Sequence, residues 1–289
     1  MRYLDAGLYR LTLDRPLVMG IVNVTPDSFA DGGRYASFEA AHAHARQLLA
    51  EGADILDIGG ESTHPGAASV SEEEEKGRVM PLLERLVDCG KPVSIDTRKP
   101  RVMRAAIAAG AAMINDVDAM RAPGALEALA GSDAAVCLMH MQGQPGTMQQ
   151  APQYGDVVAE VFAFLRDRVA ACRAAGIAEG RLVIDPGFGF GKNLEHNLAL
   201  LRGLDRFNQL GLPILAGLSR KTMLGTLTGR PVDQRVHASV AAALAAAARG
   251  AAILRVHDVA ATVDALKVWQ AVGMAPARIR SGPDSQVAT

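Results

Sequence analysis

Cysteine is scarce: Cys89, Cys137 and Cys172 are odd in number and widely spaced. A disulfide framework uses an even set and a zinc site uses close pairs, so neither is expected. Net charge is nearly absent, with 30 Lys+Arg against 31 Asp+Glu and a formal balance of -1. Broad nucleic-acid binding needs a clustered cationic surface, so a nucleic-acid partner is not expected. Long hydrophobic runs are missing too. The longest, residues 238–248, is mostly alanine and stops at Arg249, too short and too weakly apolar to span a bilayer. The first ten residues, MRYLDAGLYR, hold no apolar core of a secretory signal. The expectation is a cytoplasmic protein with no membrane contact.

What is present is globular material: 289 residues, 49% hydrophobic and 21% charged, with mean hydropathy +0.12. A chain of this length buries a self-sufficient core. Short apolar or β-branched runs recur at 17–22, 55–58, 92–95, 112–114, 135–139, 182–184, 213–216 and 252–256. Between them lie longer patterns of helical period, such as 38–50, 72–88, 101–109, 156–175, 234–248 and 258–272. Gly52, Gly110 and Gly176 stand where a left-handed residue stops a helix. Buried strands alternating with helices predict an α/β fold with a parallel sheet. About eight βα units in about 250 residues is the size of a closed (β/α)8 TIM barrel, with an open doubly wound sheet as the alternative. No composition shift marks a linker. Residues 1–275 are therefore expected to form a single domain, and 276–289, which lose periodicity, a disordered tail.

In such a barrel, functional side chains gather at the C-terminal ends of the strands. Reading just past each predicted strand gives Asn23, the segment 59–63, Asp96, Asn115 with Asp116, His140, Asp185, Ser219 to Lys221, and Arg255, His257 and Asp258. A solvated rim explains any one of these, but not the whole set. Asp96, Asn115, Asp185 and Lys221 offer several acceptors and few donors, which suits a flat heterocycle rich in N–H groups, such as a pterin or purine. Arg255 can lie over such a ring or pair with an anion. Asn23, Thr63, Arg255 and His257 can hold a phosphate or pyrophosphate, with Mg²⁺ on hard oxygen ligands.

Other features read as structural. PGFGFGK at 186–192 is not a Walker loop, because Pro186 stands at the first glycine and Asn193 follows Lys192. Its glycines suit a backbone with positive φ that approaches something closely. His42 and His44 are two apart on a helix and read as surface residues. Met139 is equally suited to core or ligand wall. Glu72 to Glu75 open a helix after Ser71 and read as a solvated face. Cys137 reads as a small core residue.

The segments NVTPDSFADGG (23–33), DIGGEST-x-PG (57–66), SIDT (94–97), INDV (114–117), CLMHMQG (137–143), IDPGFGFGK (184–192), LSRK (218–221) and RVHDV (255–259) resemble the dihydropteroate synthase family. Their order matches, from about residue 17 to about residue 271. The resemblance implies a (β/α)8 barrel, usually dimeric, that joins 6-hydroxymethyl-7,8-dihydropterin pyrophosphate to p-aminobenzoate with Mg²⁺, as a step of folate biosynthesis. Sulfonamides mimic the aminobenzoate in that family. By match to the motifs, Asp96, Asn115, Asp185 and Lys221 hold the pterin, with Met139 and Gly217 as walls and Arg255 over the ring. These five polar residues are the expected catalytic set. Asn23, Thr63, Arg255 and His257 hold the pyrophosphate, Asn23 with the Mg²⁺. Thr63, Pro65, Phe190, Ser219 and Lys221 form the p-aminobenzoate side, and Phe29, Asp31 and His64 sit on mobile loops. A methyltransferase on the same barrel shares the pterin ligands but has no use for the pyrophosphate set. A non-catalytic pterin-binding paralogue is the other alternative.

Two positions depart from the family. Gly146 stands where a basic residue is common, and His64 replaces the arginine of the usual STRPG. An imidazole exchanges a permanent charge for one that titrates near neutrality. Substrate affinity is therefore expected to vary with pH between about 6 and 7. A flat affinity profile across that interval would remove position 64 from the binding surface.

Overall fold

The computed structural model describes residues 2–24, 33–61, 69–144 and 146–273, with 33–37 as backbone only. Among the described residues, eight parallel strands close into a barrel in sequence order, the last pairing with the first. They are β3 (Leu17–Asn23), β4 (Ile55–Gly59), β5 (Val93–Asp96), β6 (Met113–Asp116), β7 (Ala135–Met139), β8 (Leu182–Asp185), β9 (Ile214–Ala216) and β10 (Ala251–Val256). This closure excludes the open doubly wound sheet. The helices are α1 (Gly33–Ala50), α2 (Glu72–Leu86), α3 (Pro100–Ala108), α4 (Ala125–Ala130), α5 (Val157–Ala174), α6 (Leu194–Arg202), α7 (Thr222–Thr228), α8 (Val236–Ala247) and α9 (Val259–Ala271).

The strands are apolar throughout because both of their faces are buried. Val18 and Val22 belong to the layer between sheet and helices, whereas Leu17 and Met19 point into the barrel with Ile55, Met113, Cys137 and Ile253. Cys137 is thus a core residue, as expected. Gly52, Gly110 and Gly176 carry φ of +101°, +97° and +83° at the ends of α1, α3 and α5, the left-handed stops expected of them.

The sequence reading missed an antiparallel hairpin, β1 (Tyr3–Ala6) with β2 (Tyr9–Thr12). Gly7 turns it at φ +57°, and Leu4 and Ala6 enter the barrel cluster from the N-terminal end of the strands. One reading needs correction. Ser71 caps α2 by accepting from Glu74 N at 3.1 Å, but Glu75 is fully buried, not solvated. Its Oε2 accepts from Lys99 Nζ at 2.6 Å, and the same ammonium bonds Glu61 Oε2 at 2.5 Å and Val70 O at 2.7 Å. Burial raises the Glu75 carboxyl and Lys99 opposes the rise. The expected tail, 276–289, lies outside the described residues.

At the N-terminal end of the barrel, Asp54 fixes the entry to β3. It accepts from Arg15 at 2.8 and 2.7 Å and from Val18 N at 2.9 Å. Arg15 is 46% exposed, so most of the value lies in the backbone bond. Asp54→Ala is expected to lower the unfolding free energy by about 1–3 kcal/mol in a denaturant titration, with turnover unchanged. An unchanged midpoint would show that this fork contributes nothing to the fold.

Candidate functional site

Strand register assembles the site. Asn23 pairs with Gly59, Gly59 with Asp96, and Asp96 with Asn115, so four adjacent strands end at one level. Met139 and Asp185 are likewise neighbours on β7 and β8. From β10, Arg255 reaches across this ring. Its Nε donates to Asp57 Oδ2 at 2.6 Å and its Nη2 to Asp96 Oδ2 at 2.8 Å. Asn115 Nδ2 donates to the same Asp57 oxygen at 3.1 Å. Asp57 Oδ1 and Asn115 Oδ1 are buried and have no hydrogen-bond partner among the described residues.

These contacts set the protonation states. Burial pushes the Asp96 carboxyl up to about 7, with Arg255 pulling it down and Asp57 pushing further up. Burial alone would lower Arg255, but Asp57 and Asp96 hold it above its usual value, so it is permanently charged. Asp185 is raised by burial, against the Gly187 N–H that its Oδ1 accepts at 2.7 Å. Burial lowers Lys221 to about 8, while Asp185 supports its charge. Burial and then Arg255 push His257 down to about 3, so its imidazole is neutral. Its Nδ1 lies 3.0 Å from Ser219 Oγ.

One cleft at the C-terminal mouth of the barrel collects most of the expected residues. Asp96, Asn115, Asp185, Lys221 and Arg255 supply its polar lining. Met139, Phe190 and Gly217 form its walls, and Ser219 and His257 complete one side. Lys221 Nζ stands 4.1 Å from the Phe190 ring centroid, a cation–π contact. Asn23 does not line this cleft; it is exposed at the end of β3, with Oδ1 facing Gly59. Thr63, His64, Pro65, Phe29 and Asp31 lie outside the described residues. The sequence reading assigned no role to Asp57, although an ionisable residue inside the apolar strand ILDIG was a usable signal. Acceptors on one flank, a cation opposite and apolar walls between them suit a flat ring that donates several N–H groups.

The sequence matches the family described as pterin binding enzyme over residues 19–257. The chain is 56% identical over 277 residues to the dihydropteroate synthase of Neisseria meningitidis serogroup B, covering 93% of this chain and 97% of the relative. Two solved structures from Xanthomonas albilineans are also similar. Dihydropteroate synthase with 4-aminobenzoic acid gives a TM-score of 0.90 at 61% identity, covering 95% of this chain and 99% of that one. Dihydropteroate synthase in complex with 7,8-dihydropteroate gives 0.86 at 58%, covering 95% and 100%.

The raised Asp96 carboxyl generates a pH prediction. It binds its proton more tightly folded than unfolded, so between its ordinary 3.8 and about 7 it lowers stability as pH rises. Ligand binding has the opposite sign, because the ionised form is the one that accepts N–H groups and holds Arg255. Pterin affinity measured by calorimetry is expected to fall as pH drops through about 7, and Asp96→Asn to abolish that dependence. The same slope in the variant would assign the titration to another group.

Proposed function

Because the chain belongs to the dihydropteroate synthase family, we propose that the cleft at the C-terminal mouth of the barrel is where it carries out that family's reaction. The enzyme is a transferase of folate biosynthesis. It condenses 6-hydroxymethyl-7,8-dihydropterin pyrophosphate with p-aminobenzoate to give 7,8-dihydropteroate and pyrophosphate. The assignment of residues rests on the Arg255 bridge between Asp57 and Asp96, beside the unpartnered Asn115 oxygen.

In this reading the pterin N–H edge donates to Asp96, Asn115 Oδ1 and Asp185, while Lys221 donates to a ring acceptor. Met139 and Gly217 wall the ring and Arg255 covers its face. As the methylene C–O bond lengthens, positive charge grows on the pterin and negative charge on the departing pyrophosphate. Asp96 and Asp185 stabilise the first, and Arg255 the second. His257 contributes one N–H donor but no charge. The aryl amine attacks the methylene carbon, forms the C–N bond and loses its proton, so no enzyme nucleophile is required. Phe190, Ser219 and Lys221, with Thr63 and Pro65, bound the aminobenzoate, where sulfonamides would compete.

No group of three or more His, Cys, Asp or Glu side chains among the described residues could hold a metal. Asn23, with its amide oxygen at the end of β3, would supply a hard oxygen ligand of the kind Mg²⁺ takes. When bound, Mg²⁺ supplies charge neutralisation to the leaving group. A homodimer and a cytoplasmic location are also part of this proposal; for the second, the three cysteines are free thiols, as a reducing compartment would keep them.

Pyrophosphate release from the two substrates, with Mg²⁺ and with excess chelator, tests the reading. Product is expected only with the metal. Lys221→Ala is expected to cut kcat/KM by about 100-fold or more with the fold intact. Tight pterin binding without product in either condition would favour the non-catalytic paralogue.

A further inference from the structure

The glycine-rich run 186–192 follows β8 and ends in a lysine that the mechanism does not use. Lys192 is 2% exposed. Its acceptors are all uncharged: Nζ donates to Gly187 O at 2.9 Å, to Phe190 O at 3.0 Å and to His140 Nδ1 at 3.0 Å. A fourth contact, to His140 O, is 3.4 Å. Burial, and then Lys192 itself, push His140 down to about 3, so its Nδ1 is free to accept. Burying an ammonium with no carboxylate in hydrogen-bond reach is unfavourable even though Asp185 nearby supports its charge, and an apolar side chain would fill the same space at less cost. The lysine therefore needs a role beyond filling space.

Its bonds join two loops. Gly187 O and Phe190 O belong to the loop after β8, and His140 to the loop after β7. The two backbones are already in contact. A Cβ on Gly187, at φ +71°, would sit 1.9 Å from His140 O, and one on Gly191, at φ +62°, 2.4 Å from Gln142 O. The middle glycine faces the other way: a Cβ on Gly189 would meet Lys221 Cδ at 3.0 Å. The loop is thus wedged between the loop after β7 and the cleft lysine, and its half-buried turn carries Phe190 to Lys221. Tyr154 supports it from outside, donating its hydroxyl to Gly191 O at 2.9 Å.

We infer that Lys192 is a positioning residue for the arylamine side of the cleft: it locks the loop after β8 to the loop after β7 and so holds Phe190 over Lys221. This rests on the proposed placement of p-aminobenzoate against Phe190. Lys192 touches neither substrate. The pterin residues Asp96, Asn115, Met139, Asp185 and Arg255 are set by the barrel strands themselves, whereas Phe190 is set by the locked loop, so losing the lock falls more heavily on the arylamine.

Steady-state kinetics of the full chain and of Lys192→Met, varying each substrate in turn, test the inference. KM for p-aminobenzoate is expected to rise by about tenfold or more, with KM for the pterin pyrophosphate within about threefold. In a Phe190→Ala background, Lys192→Met is expected to add less than about twofold, because both changes remove the same wall. Equal rises in both KM values, or undiminished effect without Phe190, overturn it. Should Lys192→Met fail to fold, Tyr154→Phe decides: a rise of about threefold in the p-aminobenzoate KM alone supports the inference. No change there, or a change in both, overturns it. A parent chain that turns over neither substrate would instead overturn the assigned reaction.

Discussion

The guanidinium of Arg255 holds two carboxylates that lie 198 and 159 positions away in sequence, and the site depends on that bridge. It ties β10 to β4 and β5 across the mouth of a closed barrel. Without it, Asp96 would lose the cation that opposes the rise its carboxyl pKa takes from burial and from Asp57. With it, that rise stops at about 7, and Asn115 is oriented by the same Asp57 oxygen. A buried network of this kind is a weak source of stability, since desolvation offsets much of the attraction. Its value lies in fixing acceptors at chosen points before a ligand arrives.

The barrel can carry this arrangement because its stability is generated elsewhere. Leu4, Leu17, Met19, Ile55 and Met113 fill the N-terminal half of the interior, closed from below by the β1–β2 hairpin. A second layer, between sheet and helices, supplies the larger core. At the mouth the packing thins to Val117, Met139, Met141 and Met148, with Phe190 against them. Methionines there adapt to a bound ring more readily than branched side chains do.

Periodicity was sufficient for the barrel, because strands buried on both faces are apolar throughout and helices announce their ends with glycine. The β1–β2 hairpin escaped, since four-residue strands of mixed exposure leave a weak pattern. Glu75 misled for a different reason: a run of acids at a helix start looks solvated, and only a lysine 24 positions on shows otherwise. Residues past strand ends could be found as a set, because the fold puts them together. Asp57 sits one strand position pair deeper and its partner is at the other end of the chain, so local sequence could flag it as an acid in an apolar strand but not name what it holds. Lys192 was masked by resemblance to a phosphate loop, whose failure said what the run was not. The identity of the substrates came from family motifs; composition and spacing reached only a flat, donor-rich ring and an anion.

The protonation pattern explains why the anion end uses arginine. Burial weakens three basic groups in or beside the cleft: His257 is neutral, while Lys221 and Lys192 are lowered to about 8 and about 7. In the proposed reaction the leaving pyrophosphate develops its charge where histidine has none to offer and a lysine's charge is conditional. Arg255 is exempt, because the two acids that bind it also hold its pKa above the usual value. Asp96, an acceptor in the cleft, and Asp57 beneath it thus keep the opposing cation charged. The positive end of the site is a consequence of its negative end, and removing either carboxylate would weaken both.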